Sequence, residues 1–228
     1  MATLGEYISA GSAITKGLWH LNGNSSDSSG NNNNGSDTSI TYSLANGKFG
    51  QGAGFNGSTS LISMGNVCNI SGTAITVSCW CNPSELVDST GYTMVAKDLP
   101  TAYSTSQYRL MFNNVVGSYP VFMVSGGTSG TTHSVQATTI PSINNWYNIV
   151  GTYNGTNLKI YVNGGAPATL ATTDAIVGTT QPLLIGQDGG GYFKFKGSID
   201  EVIIENRDWT TAQVVKYYTY SKGRFGII

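Results

Sequence analysis

The stretch from Trp146 to Gly164 constrains the fold of this chain more than any other. It contains two short runs rich in β-branched and aromatic residues, at 146–153 and 158–162. The first run is followed by Asn154-Gly155-Thr156-Asn157 and the second by Asn163-Gly164. Asn-Gly is the strongest short-range signal for a tight turn between antiparallel strands, because both residues tolerate a positive φ. The stretch therefore predicts a β-hairpin followed by a second tight turn.

Strand patterns of the same kind recur along the rest of the chain. Strong examples are 74–82, 108–113 and 197–206. Turn signals recur at intervals of roughly 8–12 residues, the spacing of a β-sandwich or jelly roll, and predict one all-β domain of about 14 strands. A single helix is predicted over 210–218, with Thr210 as its N-cap and apolar residues at spacings of three and four.

The composition of the 228 residues excludes two classes of partner. The formal net charge is −1 and no basic stripe is present, so the chain lacks the electrostatic footprint of a nucleic-acid-binding protein. No apolar run approaches the roughly 18 residues of a membrane-spanning helix, so no membrane span is expected. The N-terminal residues lack the charged and apolar regions of a secretory signal peptide.

The three cysteines, Cys68, Cys79 and Cys81, are predicted to be small buried apolar residues. Cys79 and Cys81 are two residues apart in a predicted strand, so they point to one face. An odd number cannot complete an internal set of disulfides. A zinc site is rejected because the only histidines, His20 and His133, are isolated in the sequence.

Several segments, taken in order, resemble one family. They are Leu18 to Asn24, Asp27 to Asn31, Gly47 to Gly52, Phe55 to Gly57, Ile75 to Trp80, Tyr161 to Gly164 and Gly197 to Val202. With the terminal helix, this series is similar to the laminin-G-like, concanavalin A-like jelly-roll domains, and most similar to their bacterial and phage branch. The resemblance implies a two-sheet antiparallel sandwich with one short C-terminal helix. Its expected divisions are an N-terminal arm at 1–16, the jelly-roll domain at 17–220 and a C-terminal tail at 221–228.

Enzymes of this superfamily use two carboxylates on one strand, about 5–5.5 Å or about 6.5–9.5 Å apart according to mechanism. Glu201 and Glu205 share a predicted strand face but stand roughly 13 Å apart at strand rise. Asp200 and Glu201 are predicted to point to opposite faces. The hydrolase motif of the family, two glutamates that bracket an aspartate, is absent. We therefore predict that the chain is not an enzyme.

The resemblance also implies calcium, which many members carry and which takes 6–8 oxygen ligands. Two sets of candidate ligands are present: Asp27, Asn31 and Asp200 in one, and Gln187 and Asp188 in the other. The first set requires the first and last strands to be neighbours. The second resembles the acidic calcium loop of the pentraxins, although Gly186 replaces its preceding glutamate. The alternatives are an Asx-turn for Asp27 and a buried acceptor of backbone N–H groups for Asp200.

Sugar sites combine an aromatic ring for the apolar face of the sugar with amides or carboxylates for its hydroxyls. The predicted glycan-binding residues lie outside the clearest core strands; they are Tyr103, Asn113, Tyr119, Tyr192 and Trp209. The alternative for each aromatic residue is packing in the sandwich. Packing is the role predicted for Trp19, Trp80 and Trp146, which lie within strong strand patterns.

The sequence thus predicts a non-catalytic recognition module at an outer surface, either extracellular or on a virion. Its expected partner is a glycan or surface polysaccharide, which it would bind as a carbohydrate-binding or adhesion domain. The alternative is a structural protein of a phage virion, in capsid decoration or in the tail. In that case the segments 1–16 and 222–228 are predicted to dock on other virion or surface proteins. The missing signal peptide and the free cysteines favour this alternative.

Overall fold

The computed structural model of the chain describes residues 13–70, 72–87, 90–99, 107–113, 117–126 and 131–222. Within these residues the strands are, in chain order, β1 Thr15–Trp19, β2 Ser36–Thr38, β3 Thr41–Ser43, β4 Gly52–Asn56, β5 Leu61–Ser63, β6 Ile75–Pro83, β7 Tyr92–Lys97, β8 Tyr108–Phe112, β9 Pro120–Gly126, β10 Thr131–Gln136, β11 Tyr147–Tyr153, β12 Asn157–Val162, β13 Ala168–Ala171, β14 Leu184–Ile185 and β15 Lys196–Glu205. The helix α1, Thr211–Lys222, follows β15, and a 3-10 helix, Leu44–Asn46, joins β3 to β4. In this described part of the chain, no helix has the length and hydrophobicity needed to span a bilayer.

The strands form two antiparallel sheets. Sheet A has the order β13-β12-β11-β6-β15-β4-β3, and β1 also pairs with β15. Sheet B has the order β10-β9-β8-β7-β14-β5-β2. The predicted jelly-roll sandwich with one C-terminal helix is therefore confirmed. No strand was predicted at β2 or β13, because both are mostly exposed edge strands without an alternating apolar pattern.

The predicted hairpin is formed by β11 and β12, with Ile149 opposite Val162. The Asn154 Oδ1 atom accepts hydrogen bonds from the backbone N–H groups of residues 156 and 157, at 3.0 and 2.8 Å. In the second turn, Asn163 and Gly164 both have a positive φ, of 52° and 65°. These are the backbone conformations for which Asn-Gly is favoured, so the turn chemistry of the sequence determines the local structure.

The main core lies between the two sheets, and alternation along each central strand fills it. On β6, the inward side chains are Ile75, Val77, Cys79 and Cys81, and all four are fully buried. The three cysteines are free and buried, which confirms their predicted role. The intervening β6 residues, including Trp80 and Asn82, therefore lie on the outer face of sheet A.

A second apolar cluster lies on that outer face, beneath α1. Val214 and Tyr217 of the helix are buried against residues of sheet A and its flanks, namely Leu18, Val150, Tyr161, Ile203 and Trp209. The predicted N-cap is present: the Gln213 N–H donates to Thr210 Oγ1 at 3.3 Å, and the Thr210 N–H donates to Gln213 Oε1 at 2.8 Å. Tyr218 stacks on Trp80, with ring centroids 5.8 Å apart.

The last strand does not alternate throughout its length. Ile199 and Val202 are both in the main core although they are three residues apart. A bulge between Asp200 and Ile203 inserts the extra residue, and Glu201 adopts a φ of 50° there. The prediction that Asp200 and Glu201 point to opposite faces assumed a regular strand, and that assumption is wrong at this point.

Gly151 on β11 lies where the two sheets pack so closely that a side chain has no room. A Cβ atom there would lie 2.2 Å from Cγ of the fully buried Phe122 ring of β9. Real contacts are never so short, so the Phe122 ring fills the space that a side chain at Gly151 would need.

We expect Gly151→Ala to lower the free energy of unfolding by about 1–3 kcal/mol, because the methyl group overpacks the core against Phe122. Urea unfolding followed by tryptophan fluorescence measures the change. Gly178→Ala is the matched control, since a Cβ at Gly178 meets open space. Its expected change is within about 0.5 kcal/mol. Equal stability of the two variants would contradict the proposed packing.

Candidate functional site

Two charged residues, Arg109 and Asp98, are buried at the outer face of sheet B. On β8, Tyr108, Leu110 and Phe112 point into the main core, so Arg109 and Met111 lie on the outer face. Arg109 is nevertheless buried, and its guanidinium group forms an ion pair with the buried carboxylate of Asp98, just after β7. A buried pair of this kind requires further partners to offset its desolvation.

Asp98 receives one of these partners from the segment 187–194. Its Oδ1 atom accepts a hydrogen bond from the Gly189 N–H at 3.1 Å. Burial raises the pKa of Asp98, the guanidinium of Arg109 opposes that rise, and the neighbouring charge of Asp188 adds to it. Two carboxyl groups and one guanidinium group therefore share one buried region beside the outer face of sheet B.

The carboxylate of Asp188 is only half satisfied. Asp188 is fully buried, and its Oδ1 atom accepts a hydrogen bond from the Tyr192 N–H at 2.7 Å. Among the residues that the structure describes, its Oδ2 atom has no hydrogen-bond partner. A buried carboxylate oxygen without a donor is costly and is a place to expect a bound water, cation or ligand group.

The rest of the segment 187–194 lies along β7. The Thr93 N–H donates to the Phe193 carbonyl at 2.9 Å, and the Phe193 ring packs 5.6 Å from the Arg109 guanidinium carbon. Tyr192, next to Phe193, is 66% exposed. An exposed aromatic residue is thus joined through its backbone N–H to the buried charged cluster, which we call the Asp98 cluster (Asp98, Arg109 and Asp188).

Asn113 and Tyr119 lie at the end of sheet B where Lys194 pairs with Thr93, which is the opposite end of β7 from Asp98. Strand pairing sets Tyr92 opposite Phe112 and Phe112 opposite Pro120, so the ends of β7, β8 and β9 form a row. The Asn113 amide is already used: its Oδ1 atom accepts from the Tyr119 N–H at 3.0 Å, and its Nδ2 atom donates to Gln136 at 2.6 Å. Asn113 therefore closes the β8–β9 connection, while Tyr119 remains partly exposed.

The other predicted glycan-binding residues are not part of this arrangement. Trp209 is 3% exposed and packs beneath α1 on the opposite sheet, where its indole N–H donates to Glu205 Oε2 at 2.6 Å. Its ring offers no face to a sugar, because the helix covers it, and the expectation of a surface role is corrected. Tyr103 lies outside the described residues.

The loop that contains Asp27 is organised by that carboxylate. Asp27 Oδ1 accepts from the N–H groups of Leu18 and Ser29, at 3.1 and 2.9 Å. Asp27 Oδ2 accepts from the Ser29 hydroxyl and the Asn33 N–H, at 2.8 and 2.9 Å. The Asn31 amide donates to the Thr15 carbonyl at 2.7 Å. This loop is rich in polar residues because it is held by hydrogen bonds rather than by apolar packing.

Asp200 holds a different loop. Its Oδ2 atom accepts from the N–H groups of Lys48 and Phe49, at 2.8 and 2.9 Å, and its Oδ1 atom accepts from the Glu201 N–H at 2.8 Å. β1 and β15 are neighbours, as predicted, but Asp27 and Asp200 have separate sets of partners. Burial raises the pKa of Asp200 from 3.8 to about 7, although these N–H donors oppose the rise.

The five predicted calcium ligands differ in whether their oxygen atoms are free to bind the ion. Among the described residues, no group of three or more His, Cys, Asp and Glu side chains converges as a metal site would. The carboxylates of Asp27 and Asp200 already accept backbone hydrogen bonds on both oxygens, so calcium there would have to displace those donors. Asp188, with Gln187 beside it in the chain, is the one predicted ligand with an unused buried carboxylate oxygen.

The sequence patterns did not identify Asp98 and Arg109 as site residues, because each lies in or directly after a separate predicted strand. Their pairing depends on the β7–β8 register, in which Arg109 lies opposite Ala96. A signal was present, however. The chain is only 10% charged, so a charged residue within or directly after a strongly apolar strand is unusual and indicates a buried partner.

This fold and this distribution of sites define a concanavalin A-like jelly-roll domain. The Laminin_G_3 family, described as the concanavalin A-like lectin/glucanases superfamily, matches residues 56–215, and the chain belongs to it. The expected family is therefore confirmed. No curated protein sequence matches the chain.

Solved structures share the fold at low sequence identity. Domain 4 of the extracellular GH43 arabinanase AbnA from Geobacillus stearothermophilus, in complex with arabinotriose, is 22% identical with a TM-score of 0.62, and the match covers 89% of this chain and 97% of that one. The binding domain of Paraclostridial Mosquitocidal Protein 1 is 18% identical with a TM-score of 0.71, over 91% of this chain and 52% of that one. The receptor-binding domain of botulinum neurotoxin type G is 16% identical with a TM-score of 0.67, over 92% and 51%. This chain thus spans about half the length of the two toxin domains.

The raised pKa of Asp200 predicts a pH dependence of stability. The folded state binds one more proton than the unfolded state between the two pKa values, 3.8 and about 7. This contribution is fully present below the unfolded pKa and is lost as the pH rises through the folded pKa. We expect the unfolding free energy of the wild type, relative to Asp200→Asn, to fall by about 1–3 kcal/mol between about pH 5 and about pH 8.

Urea unfolding of both proteins at each pH measures this difference. The asparagine variant loses hydrogen bonds at every pH but has no proton to exchange, so it serves as the internal reference. A difference that stays constant across the range would show that Asp200 remains ionised throughout.

Proposed function

We propose that this domain is a non-catalytic carbohydrate-binding module and that it binds its glycan on the outer face of sheet B. The observation that carries the proposal is the exposed Tyr192 ring beside the Asp98 cluster. A sugar presents an apolar face to an aromatic ring and hydroxyls to polar groups. Tyr192 provides the exposed ring, and the partly exposed Gln187 of the same segment provides a polar side chain. Tyr119, partly exposed beside the start of β9, is a further aromatic residue on this sheet.

The comparisons support this function at the level of the fold. Domain 4 of AbnA matches over nearly its whole length and was solved in complex with arabinotriose. The toxin relatives are named as binding or receptor-binding domains, and one botulinum neurotoxin binding domain was solved in complex with a sialylated ligand, SialylT. These names describe the relatives, and they favour binding over catalysis as the proposal for this chain.

An extracellular or other outer-surface location fits a glycan-binding role and remains part of the proposal. The virion alternative stays a prediction, since no residue contact or relative described above favours it. The prediction that the chain is not an enzyme also stands as a prediction; release of reducing sugar from a polysaccharide would contradict it.

A glycan array probed with the labelled domain identifies the ligand class. For the glycan that binds best, we expect Tyr192→Ala to raise the Kd roughly tenfold, which corresponds to about 1.4 kcal/mol of lost contact with the sugar face. Isothermal titration calorimetry measures the Kd.

Tyr192→Phe keeps the ring and removes only the hydroxyl, so its Kd is expected to stay within about threefold of the wild type. Val215→Ala, an exposed position on the helix of the opposite sheet, controls for nonspecific effects of surface substitution. Wild-type affinity in Tyr192→Ala, or no binding to any glycan on the array, would refute the proposed site.

We further propose that the domain binds calcium at Asp188 through its unpartnered Oδ2 atom. The Gln187 side chain and backbone carbonyls of the segment 187–194 are the nearest further oxygen donors along the chain. The positive charge of Arg109 is offset by Asp98 and so does not prevent cation binding.

Thermal unfolding with millimolar calcium and with chelator tests this site. We expect calcium to raise the melting temperature of the wild type, because a ligand that binds only the folded state stabilises it. Asp188→Asn should abolish the shift, whereas Asp27→Asn should retain it despite a lower melting temperature. An identical wild-type melting temperature in the two buffers would argue against a stabilising calcium site.

A further inference from the structure

The outer face of sheet A has a groove on the half that α1 leaves uncovered. The groove has a volume of 620 Å³, within the range of small-ligand clefts, and its floor is formed by β4, β15 and β6. Ala45 and Asn46 of the 3-10 helix form one wall, and Asn144, in the loop before β11, lines the other side. We call this feature the sheet A groove. It faces away from the Asp98 cluster, which lies on the outer side of the other sheet.

Side-chain amides and hydroxyls dominate the lining of the groove. Asn82 and Asn144 are partly or fully exposed, and their side chains make no hydrogen bond to any residue that the structure describes. Asn46, by contrast, is held in place: its Nδ2 atom donates to the Thr41 carbonyl and its Oδ1 atom accepts from the Ser198 hydroxyl, each at 3.1 Å. Two unused amides above a fixed polar floor match a ligand whose groups both donate and accept, as sugar hydroxyls do.

The charge of the groove favours a neutral ligand. Among the described residues of its lining, Lys196 alone is charged, and its Nζ atom pairs with Glu85 Oε2 at 2.8 Å. The pair leaves no uncompensated charge to attract a phosphate or a carboxylate. An ionic ligand would have to compete with an existing partner, whereas a polyhydroxylated neutral ligand would not.

Exposed or partly exposed apolar residues neighbour lining residues of this polar groove. Leu44, next to Ala45, is 74% exposed, and Ile143, next to Asn144, is 46% exposed. The β11–β6 register sets Tyr147 opposite Cys81, and its continuation by one residue sets the partly exposed Trp146 opposite Asn82. Exposed apolar groups beside free amides are the combination that contacts both the C–H face and the hydroxyls of a sugar.

We propose that the sheet A groove is a second carbohydrate site, which takes a neutral oligosaccharide of a few residues. The domain then has two binding faces on opposite sheets and can bridge two glycan chains. The inference shares its ligand class with the proposed function, but it depends on different residues on the other sheet.

NMR titration of the 15N-labelled protein with arabinotriose, xylotriose, cellotriose and maltotriose tests the two sites separately. For at least one sugar, we expect chemical-shift changes at the side-chain NH2 groups of Asn82 and Asn144 and at the Gly54 amide, and these changes persist in Tyr192→Ala. The double variant Asn82→Ala/Asn144→Ala should weaken binding in the groove at least tenfold. Ser84→Trp, at an exposed lining position, should abolish it by filling the space.

Asn69→Ala, at an exposed asparagine outside the groove, is the matched control and should bind as the wild type does. Absence of groove shifts with all four sugars, or an unchanged affinity in both the double variant and Ser84→Trp, overturns the groove site. Loss of all binding in Tyr192→Ala also overturns it and supports the sheet B site alone. If Tyr192→Ala leaves groove binding unchanged and no residue of sheet B shows chemical-shift changes, the groove site is supported. The proposed binding on sheet B is then refuted.

Discussion

The apolar layer between the two sheets is the interaction on which the rest of this structure depends. Neither sheet can remove its inward side chains from water alone, and each large apolar side chain that becomes fully buried contributes about 1.5–3 kcal/mol. The fit is close enough that Gly151 must lack a side chain where Phe122 of the other sheet packs. Apolar side chains occupy most inward positions of the strands. Because successive side chains of a strand point to opposite faces, the intervening polar side chains lie on the outer faces. Both proposed sites lie there for that reason.

The two outer faces differ because different segments return across them. On sheet A, α1 covers one half with its own apolar cluster, which buries Trp209 and leaves the polar groove open on the other half. On sheet B, the segment 187–194 runs beside β7 and brings Asp188 and the exposed Tyr192 to the buried Asp98–Arg109 pair. The same sandwich thus has a polar groove, whose one charged lining residue is paired, on one side and an exposed tyrosine near a buried charged cluster on the other.

Similar carboxylates in the sequence have different roles in the structure. Asp27, Asp188 and Asp200 each lie near glycine and oxygen-rich residues, and this pattern suits a calcium ligand as well as a structural acceptor. Two of them are saturated by backbone N–H groups from their own or a neighbouring loop, and only Asp188 keeps an unused oxygen. The Lys48 N–H that bonds Asp200 comes from a residue 152 positions earlier in the chain, so no local pattern distinguishes the three.

The sequence by itself determined the hairpin at 146–164, the alternation of the central strands, the capped helix and the family, because turn chemistry, strand periodicity and capping act over a few neighbouring residues. The tertiary structure decided which outer positions are covered and which charged groups meet. It buried Trp209, joined Asp98 to Arg109 and inserted the bulge after Asp200, and each of these depends on strand order and register. Register and coverage arise from contacts between segments that are distant in the chain, and such contacts leave only a weak trace in local sequence patterns.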